Sequence, residues 1–453
     1  MVNEQLATDK PTLQTMGVLA YDNATKTTNN CIEMKKKPRL GNQLKTVGVC
    51  MGVFVSSAAA LYAQADASSV QKLNQENMEL KKRLDAIESA AKKEGWMPSG
   101  AMPVTAMSKI AISGFVTASY FHDSSSPDDH TSPGYLWNRE NDSFTLNKFK
   151  LTIASPAVER SGDKFDAGFR TSLIFGQDAP IVNSDSSTTG FEALREAYVE
   201  MNIPIGTGLN FKAGELISLL NYESGDGGAV NANFSQGYQW FFTGNGPAAG
   251  AQLGYTFTDW LGMKFRVQNG LYAGPVDNNT AKTLLGSIEL KPCESTWVNL
   301  IGFGGREDSF VESVVGASLL GGWKATSQLT FGTELDFFNF YNGENATPKG
   351  HSDVYSMGLW TDYAFTKKVD LALRAEFLSD SKGVDASGGA LGFLNSAGTG
   401  QDLTSIALTL NYTPLPNIKI QPEIRFDHTS WSGGFVPGKQ NRVIFGAGAS
   451  YLF

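Results

Sequence analysis

The sequence has few residues of the kinds that build most enzymatic and metal sites. It contains three cysteines and four histidines in 453 residues. Cys31 and Cys50 lie in an amino-terminal region that we expect to be removed, which leaves Cys293 alone. A single cysteine cannot form an intrachain disulfide or a cysteine metal cluster. The net charge is −8, and the body of the chain has no basic runs, which argues against nucleic-acid binding.

Long apolar runs are scarce as well, since only residues 47–61 approach the length of a membrane-spanning helix. A lysine-rich stretch precedes this run, and the A-x-A motif at 63–65 follows it, so we predict a secretory signal peptide over 34–65. The alternative is an uncleaved membrane anchor. Because a signal peptide begins at the start codon, and Met34 fits that position, we interpret residues 1–33 as a misannotated extension.

Residues 66–98 are rich in Glu and Lys and show a heptad pattern. The predicted a and d core positions are Val70, Leu73, Asn77, Leu80, Leu84 and Ile87. A polar residue such as Asn77 at an a position specifies register. We predict a short coiled-coil helix in the periplasm, followed by a linker at 99–108. A solvated amphipathic helix is the alternative.

From residue 109 the pattern changes to the alternation of β-strands, as in Leu261, Met263 and Phe265 against Lys264 and Arg266. The predicted strands are 109–122, 142–155, 163–176, 192–203, 208–219, 248–257, 260–272, 282–291, 296–305, 312–324, 326–340, 353–365, 368–379, 402–413, 416–428 and 441–453. Tight turns alternate with long polar links between them. This favours an all-β fold, a transmembrane antiparallel barrel of about 16 strands (about 14–18) over 109–453, rather than a soluble β-sandwich.

The carboxy-terminal strand carries the alternation to the last residue. Counting back in twos from Phe453 gives Tyr451 and Phe445 on one face, whereas Ser450 and Ile444 lie on the other. In a barrel within lipid, one face meets acyl chains and the other meets the lumen. We therefore expect contact with outer-membrane lipid, and recognition of the Phe453 strand by the barrel-assembly machinery.

Several short motifs carry a family resemblance. They are Gly214-Glu215, Asn221–Glu223, Asn231–Ser235, Gly250–Tyr255 and Asn269-Gly270. This set resembles the putative β-barrel porin-2, or OmpL-like, family. The resemblance implies a bacterial outer-membrane porin without catalytic residues.

The coiled-coil prefix resembles that of trimeric porins with a periplasmic helical stalk. We therefore expect a homotrimer, with the helix as a tether to peptidoglycan. The expected function is passive diffusion of small hydrophilic solutes and ions through a water-filled barrel. The alternative is a non-conducting outer-membrane barrel that acts as an adhesin or as a cell-wall or surface anchor.

The longest link, 220–247, is the candidate that narrows the bore. Its aromatic stretch from Tyr238 to Phe242 has two interpretations. It anchors the loop inside the wall, or it extends a strand of the outer aromatic girdle. In the first case, four polar side chains lie near the path, namely Glu223, Asp226, Asn231 and Asn233.

Strand parity also predicts charged side chains that line the pore. The predicted set is Lys148, Lys150, Arg170, Lys264, Arg266, Glu334, Asp336, Asp370, Arg374, Glu376, Lys419, Glu423 and Arg425. Most basic members belong to the early strands and most acidic members to the later ones. This predicts a basic wall that faces an acidic wall, because the two groups of strands lie on opposite sides of a closed barrel.

Catalytic patterns are weak in this sequence. His428 and Ser430 invite comparison with outer-membrane phospholipases, but nothing supplies the third group that orients such a pair. No cluster has the spacing of metal ligands. We predict that the protein is not an enzyme and that it needs no metal or cofactor.

Overall fold

A single closed sheet contains most of the residues that the structure describes. The computed structural model describes residues 75, 78–79, 81–83, 110–183, 192–271, 276–277, 279–307, 311–342, 350–382 and 400–453. Among these residues, sixteen antiparallel strands form one barrel in which each strand pairs with its neighbours in the chain and β1 pairs with β16. The predicted fold class is confirmed.

The strand bounds follow the predicted ones closely. The strands are β1 (Ala111–Asp123), β2 (Ser143–Ala154), β3 (Asp166–Phe175), β4 (Leu194–Ile203), β5 (Leu209–Leu216), β6 (Ala248–Thr258), β7 (Leu261–Gln268), β8 (Thr283–Cys293), β9 (Thr296–Gly305), β10 (Val311–Lys324), β11 (Leu329–Asn342), β12 (Gly350–Ala364), β13 (Val369–Asp380), β14 (Gln401–Leu415), β15 (Ile418–Thr429) and β16 (Asn441–Leu452). The largest difference at one end is at β7, which ends at Gln268 rather than at 272, and β5 ends at Leu216 rather than at 219. The chain leaves the sheet after Leu216. Residues 217–219 of the predicted strand therefore belong to a segment that enters the barrel.

The barrel closes between its first and last strands. Their register runs from Phe115 opposite Leu452 to Asp123 opposite Ile444. Gly114 N donates to Phe453 O at 2.9 Å, and Phe453 N donates to Gly114 O at 3.0 Å. Closure gives every strand a partner on both edges, which a sheet in hydrocarbon needs because unpaired backbone groups there cost several kcal/mol each.

The two faces of the sheet alternate as expected for a barrel in lipid. On β16 and the residue after it, Phe445, Tyr451 and Phe453 are 49%, 49% and 46% exposed, whereas Ile444 and Ser450 are each 3% exposed. Large apolar side chains therefore face outward, and the other parity faces the interior.

Outward-facing aromatic pairs occur at both ends of the strands. Near the short turns they are Tyr255–Phe257, Trp323–Phe331 and Tyr363–Phe365. Near the long links they are Tyr120–Phe144 and Phe337–Tyr355. Two such girdles mark the two interfaces of a membrane, and the short turns mark its periplasmic side.

Helical pieces in the described part of the barrel region are short. They are the α-helices α1 (Ala179–Val182) and α2 (Tyr238–Phe242) and the 3-10 turn Gly227–Ala229. No helix among the described residues has the length and apolar character of a membrane-spanning helix.

The amino-terminal predictions fall mainly outside the described residues. This holds for the extension 1–33, the signal peptide 34–65 and the linker 99–108. Of the predicted coiled coil 66–98, only six residues between 75 and 83 are described, and all are helical. The six predicted core positions lie outside the described residues.

The lipid-facing surface generates a stability prediction. Leu408 faces outward near the middle of β14 and is 40% exposed. We expect Leu408→Arg to lower the free energy of unfolding by about 2–4 kcal/mol, because it places a charge at mid-bilayer depth. Phe365→Arg, at the periplasmic turn, is the matched control and should cost only about 0–1 kcal/mol. Reversible guanidinium unfolding in lipid vesicles would measure both, and equal costs would contradict this membrane placement.

Candidate functional site

The segment 217–247 between β5 and β6 lies inside the barrel. Arg266 Nη1, on β7, donates to Ile217 O at 2.7 Å where the loop begins. Gly246 N donates to Leu271 O at 3.0 Å where it ends. Both roots of the loop are therefore fixed to the same side of the wall. We call this segment the inward loop.

Two ion pairs join the inward loop to different parts of the wall. Arg374 Nη1, on β13, lies 2.8 Å from Glu223 Oε1, and Trp360 Nε1 donates to the same oxygen at 3.1 Å. Lys150 Nζ, on β2, lies 2.6 Å from Asp226 Oδ2. Since β2 and β13 are separated by four strands of the closed sheet, these two pairs hold the loop across the interior.

Carboxylates of the predicted acidic wall accept hydrogen bonds from the backbone of the inward loop. Glu334 Oε2 accepts from Tyr222 N at 2.7 Å, Glu376 Oε1 from Gln239 N at 3.1 Å, and Glu423 Oε2 from Phe234 N at 2.8 Å. Asp336 Oδ2 accepts from the Gln239 side chain at 2.7 Å. These acids satisfy loop N–H groups that have no strand partner, as enclosed backbone requires.

The two asparagines predicted near the path stabilise the inward loop through hydrogen bonds. Asn231 Oδ1 accepts from Ser224 N, and Asn231 Nδ2 donates to Ser224 O, both at 2.9 Å. Asn233 Nδ2 donates to Thr409 Oγ1, on β14, at 2.7 Å. One asparagine closes a turn within the loop and the other ties the loop to the wall.

The aromatic stretch of the inward loop forms α2 rather than part of a strand. Tyr238 OH donates to Asp427 Oδ2 at 3.0 Å. The Trp240 ring lies 4.2 Å, centroid to centroid, from that of Trp137, which belongs to the link between β1 and β2. Of the two interpretations of this stretch, the structure agrees with packing inside the wall.

The basic side chains of the early strands lie beside carboxylates. The pairs are Lys148–Asp178 at 3.0 Å, Arg170–Glu196 at 2.6 Å, Lys212–Glu200 at 3.5 Å and Lys264–Glu289 at 2.5 Å. Strand parity alone did not reveal that most of these cations are neutralised by neighbours on their own side of the barrel. The local pairing reduces the contrast between a basic wall and an acidic wall.

Three members of the predicted set have other surroundings. Arg266 donates to Gln252 Oε1 through Nε at 3.0 Å and through Nη2 at 2.8 Å, besides its bond to Ile217 O. Within the described part of the chain, its hydrogen-bond acceptors are neutral. Lys419 Nζ donates to Gly228 O at 3.0 Å, and Asp370 Oδ1 accepts from Asn411 at 2.6 Å.

Sequence reasoning missed a cluster around Asp427. Arg425 Nε lies 2.7 Å from Asp427 Oδ1, and Arg442 Nε lies 3.1 Å from Oδ2. Arg442 Nη1 also lies 3.2 Å from Asp123 Oδ2. Arg442 and Asp123 lie at strand ends, two residues from the inward-facing Ile444 and Phe121. Side chains two residues apart in a strand share a face, so this alternation could have placed both residues inside.

Two loop tyrosines complete this Asp427 cluster. Tyr135 OH and Tyr238 OH donate to Asp427 Oδ2 at 3.1 and 3.0 Å. Burial raises the pKa of both phenols above the usual range, although the two nearby arginines oppose this shift. The hydroxyls therefore remain donors at neutral pH, and the cluster joins two loops to β15 and β16.

The histidine and serine considered for catalysis have separate partners. His428 Nδ1 lies 2.8 Å from Asn441 Oδ1, and Ser430 Oγ accepts from Asp402 N at 2.7 Å. Neither contact joins the two residues. Within the described ranges, no group of three or more His, Cys, Asp or Glu side chains is placed to hold a metal ion.

Comparison with protein families gives one match over most of the chain. The model of the family described as "Putative beta-barrel porin-2, OmpL-like" matches residues 109–453. No curated protein sequence matches this chain at a significant level.

Solved structures with a similar fold are bacterial outer-membrane proteins. The anion-selective porin from Comamonas acidovorans has a TM-score of 0.51 at 10% identity, over 76% of this chain and 99% of that one. The outer membrane channel DcaP of Acinetobacter baumannii has a TM-score of 0.50 at 14% identity, over 76% and 97%. The trimer form of OmpT, an outer membrane protein of Vibrio cholerae, has a TM-score of 0.50 at 10% identity, over 76% and 99%. Similarity at these identities establishes the fold.

The Lys150–Asp226 pair generates a pH-dependent prediction. Burial raises the pKa of Asp226, but Lys150 and Arg195 outweigh it and lower that pKa overall. A lowered pKa stabilises the folded state at every pH above the unfolded value of about 3.9, and this stabilisation is lost as pH falls through the folded value. We expect Asp226→Asn to cost about 3–5 kcal/mol at neutral pH, because it leaves Lys150 uncompensated.

Guanidinium unfolding at a series of pH values would test this prediction. The difference between wild type and Asp226→Asn should be constant at neutral pH and shrink only in strong acid. Asp128→Asn, in an exposed link, is the control and should change little. A difference that is already lost near pH 6 would contradict the assigned direction of the pKa shift.

Proposed function

Since the chain belongs to the putative beta-barrel porin-2, OmpL-like, family, we propose that it forms a water-filled pore for passive diffusion of small hydrophilic solutes and ions. The proposal concerns the activity, because the porin-type barrel is given by the fold and the family. A barrel of about sixteen strands is wide enough for an aqueous channel.

The observation that carries the proposal is the anchored inward loop. Ion pairs from Glu223 and Asp226 reach β13 and β2, and wall carboxylates bind the loop backbone in between. A loop fixed at several points narrows the bore of the barrel and keeps a constant position within it. We propose that the inward loop is the constriction and that the remaining predicted charges line the path beside it.

Local charge pairing bears on selectivity. Most lumen cations have a carboxylate within salt-bridge distance, so the fixed charges largely cancel, and the proposed pore discriminates weakly between cations and anions. Arg266 differs because its hydrogen-bond acceptors are neutral, so its charge is not cancelled, although the residue is only 1% exposed. It is the proposed source of any residual preference for anions. Arg170 is paired with Glu196 but is 30% exposed along its side chain, so reversing its charge would leave two carboxylates together beside the path.

The assembly and its periplasmic contacts are also proposed. A homotrimer is supported by the similarity of the barrel to a protein solved in a trimer form. The heptad pattern of 66–98 supports a coiled coil that joins three subunits in the periplasm and contacts peptidoglycan. The aromatic carboxy-terminal strand supports recognition by the barrel-assembly machinery.

Loop removal tests the proposed constriction. Replacing residues 220–246 with a short Gly-Ser linker should raise the single-channel conductance at least about two-fold in planar bilayers, because it widens the narrowest section. Shortening the link 343–349 is the matched control and should leave the conductance unchanged. Unchanged conductance after removal of the inward loop would contradict its role. If the wild-type protein shows no conductance, the alternative of a non-conducting anchor is favoured.

Charge reversal tests the lining residues. Arg170→Glu with Arg266→Glu should shift the zero-current potential in a KCl gradient toward cation preference, because two positive charges leave the path and two negative charges replace them. Lys367→Glu with Lys368→Glu, at an exposed periplasmic turn, changes the net charge by the same amount and is the control for net charge alone. A shift of the same size in the control would show that the arginines do not line the path.

A further inference from the structure

Three aromatic rings form a row on the inner wall near the periplasmic end. Tyr222, from the inward loop, lies between Trp297 on β9 and Trp360 on β12. Its ring centroid is 6.0 Å from that of Trp297, with an interplanar angle of 11°, and 4.6 Å from that of Trp360, with an angle of 28°. We call these three residues the aromatic row.

Two glycines make room for the row. Trp297, Gly322, Gly332 and Trp360 occupy one register level across β9 to β12. A Cβ atom at Gly322 would clash with the Trp297 indole, and one at Gly332 would clash with the Tyr222 ring. The absence of side chains at two adjacent inward positions lets the rings sit close to the backbone. The wall is therefore shaped around these rings.

Polar groups surround the aromatic row. Glu334 accepts from Tyr222 N at 2.7 Å, and Glu223 accepts from Trp360 Nε1 at 3.1 Å. Asp362, two residues after Trp360 on the same inward face, lies opposite Thr330 and interacts electrostatically with Tyr222. Trp297, Tyr222 and Asp362 remain partly exposed. Glu223 and Glu334 are themselves buried and hold the row in place. Because Tyr222 stacks on both tryptophans and Trp360 is only 7% exposed, the aromatic surface open to the interior is mainly that of Trp297. Its polar margin is the pair Asp362 and Thr330.

This combination matches one class of neutral solute. A pyranose ring has a face of C–H groups, which packs on aromatic rings, and a rim of hydroxyls, which bind carboxylates and hydroxyls. An organic cation is usually enclosed by rings on several sides, whereas these three planes lie within 28° of their neighbours. We propose that the aromatic row is a binding subsite for the pyranose rings of neutral sugars.

The subsite rests on the proposed function and adds to it, because it gives the diffusion path a preference among uncharged solutes. It binds weakly, since a solute must leave as readily as it enters. Tyr222 belongs to the row, but it also directly precedes Glu223, which anchors the inward loop. A change at Tyr222 would therefore also affect the position of the loop. Trp297 is the better site for a test because it belongs to the wall and not to the loop.

Current block by sugars in planar bilayers tests the proposal. Glucose should lower the open-channel current more than sorbitol at equal concentration, because sorbitol has similar hydroxyls but no pyranose face. Trp297→Ala should reduce this difference by about two- to ten-fold, and Trp297→Phe should restore most of it. Trp323→Ala, which removes an outward-facing indole of β10 that stacks on Phe331, is the matched control and should leave it unchanged.

A second measurement separates this proposal from the proposed pore. Glucose should change the tryptophan fluorescence of the detergent-solubilised protein, and Trp297→Ala should abolish the change whether or not the barrel conducts. A conducting barrel with equal block by glucose and sorbitol would overturn the sugar subsite and leave the pore intact. Block by tetramethylammonium with none by glucose would also overturn it, and would assign the row to organic cations.

Discussion

Pairing of β1 with β16 closes the sheet, and this closure governs the whole architecture. Hydrocarbon offers no partner to a free backbone N–H or C=O, so a sheet in a membrane must pair both edges. The pairing of Phe115 with Leu452, and the reciprocal bonds between Gly114 and Phe453, supply those partners. Closure also creates an interior, so that one face of the sheet meets lipid and the other face meets the interior of the barrel.

The inward loop faces the opposite problem, because it places irregular backbone inside the barrel. Its N–H groups need acceptors that a strand neighbour would normally provide, and inward-facing Glu334, Glu376 and Glu423 provide them. The loop in turn brings Glu223 to Arg374 and Asp226 to Lys150. The polar interior therefore fixes the loop at several points inside the barrel, and the proposed passage runs beside it.

Much of the fold was predictable because its signals are local. Alternation along each strand has a period of two, and tight turns differ in composition from long links, so strand number and facing follow from neighbouring residues. The bounds of β9 agree with the prediction at both ends, whereas β5 was predicted to end three residues too late. Nothing local marks the point after Leu216 where the chain turns inward, since that turn depends on a bond from Arg266 to Ile217.

An all-β barrel and the alternation of its strand faces could be predicted from the sequence, because both depend on near neighbours along the chain. The partners of the inward-facing charges depend on contacts between distant parts of the chain. Glu223 and Arg374 are 151 residues apart, and Tyr222 and Trp360 come from a loop and a distant strand. Such contacts depend on how closure brings strands and loop together in space, and no periodicity along the chain records that arrangement.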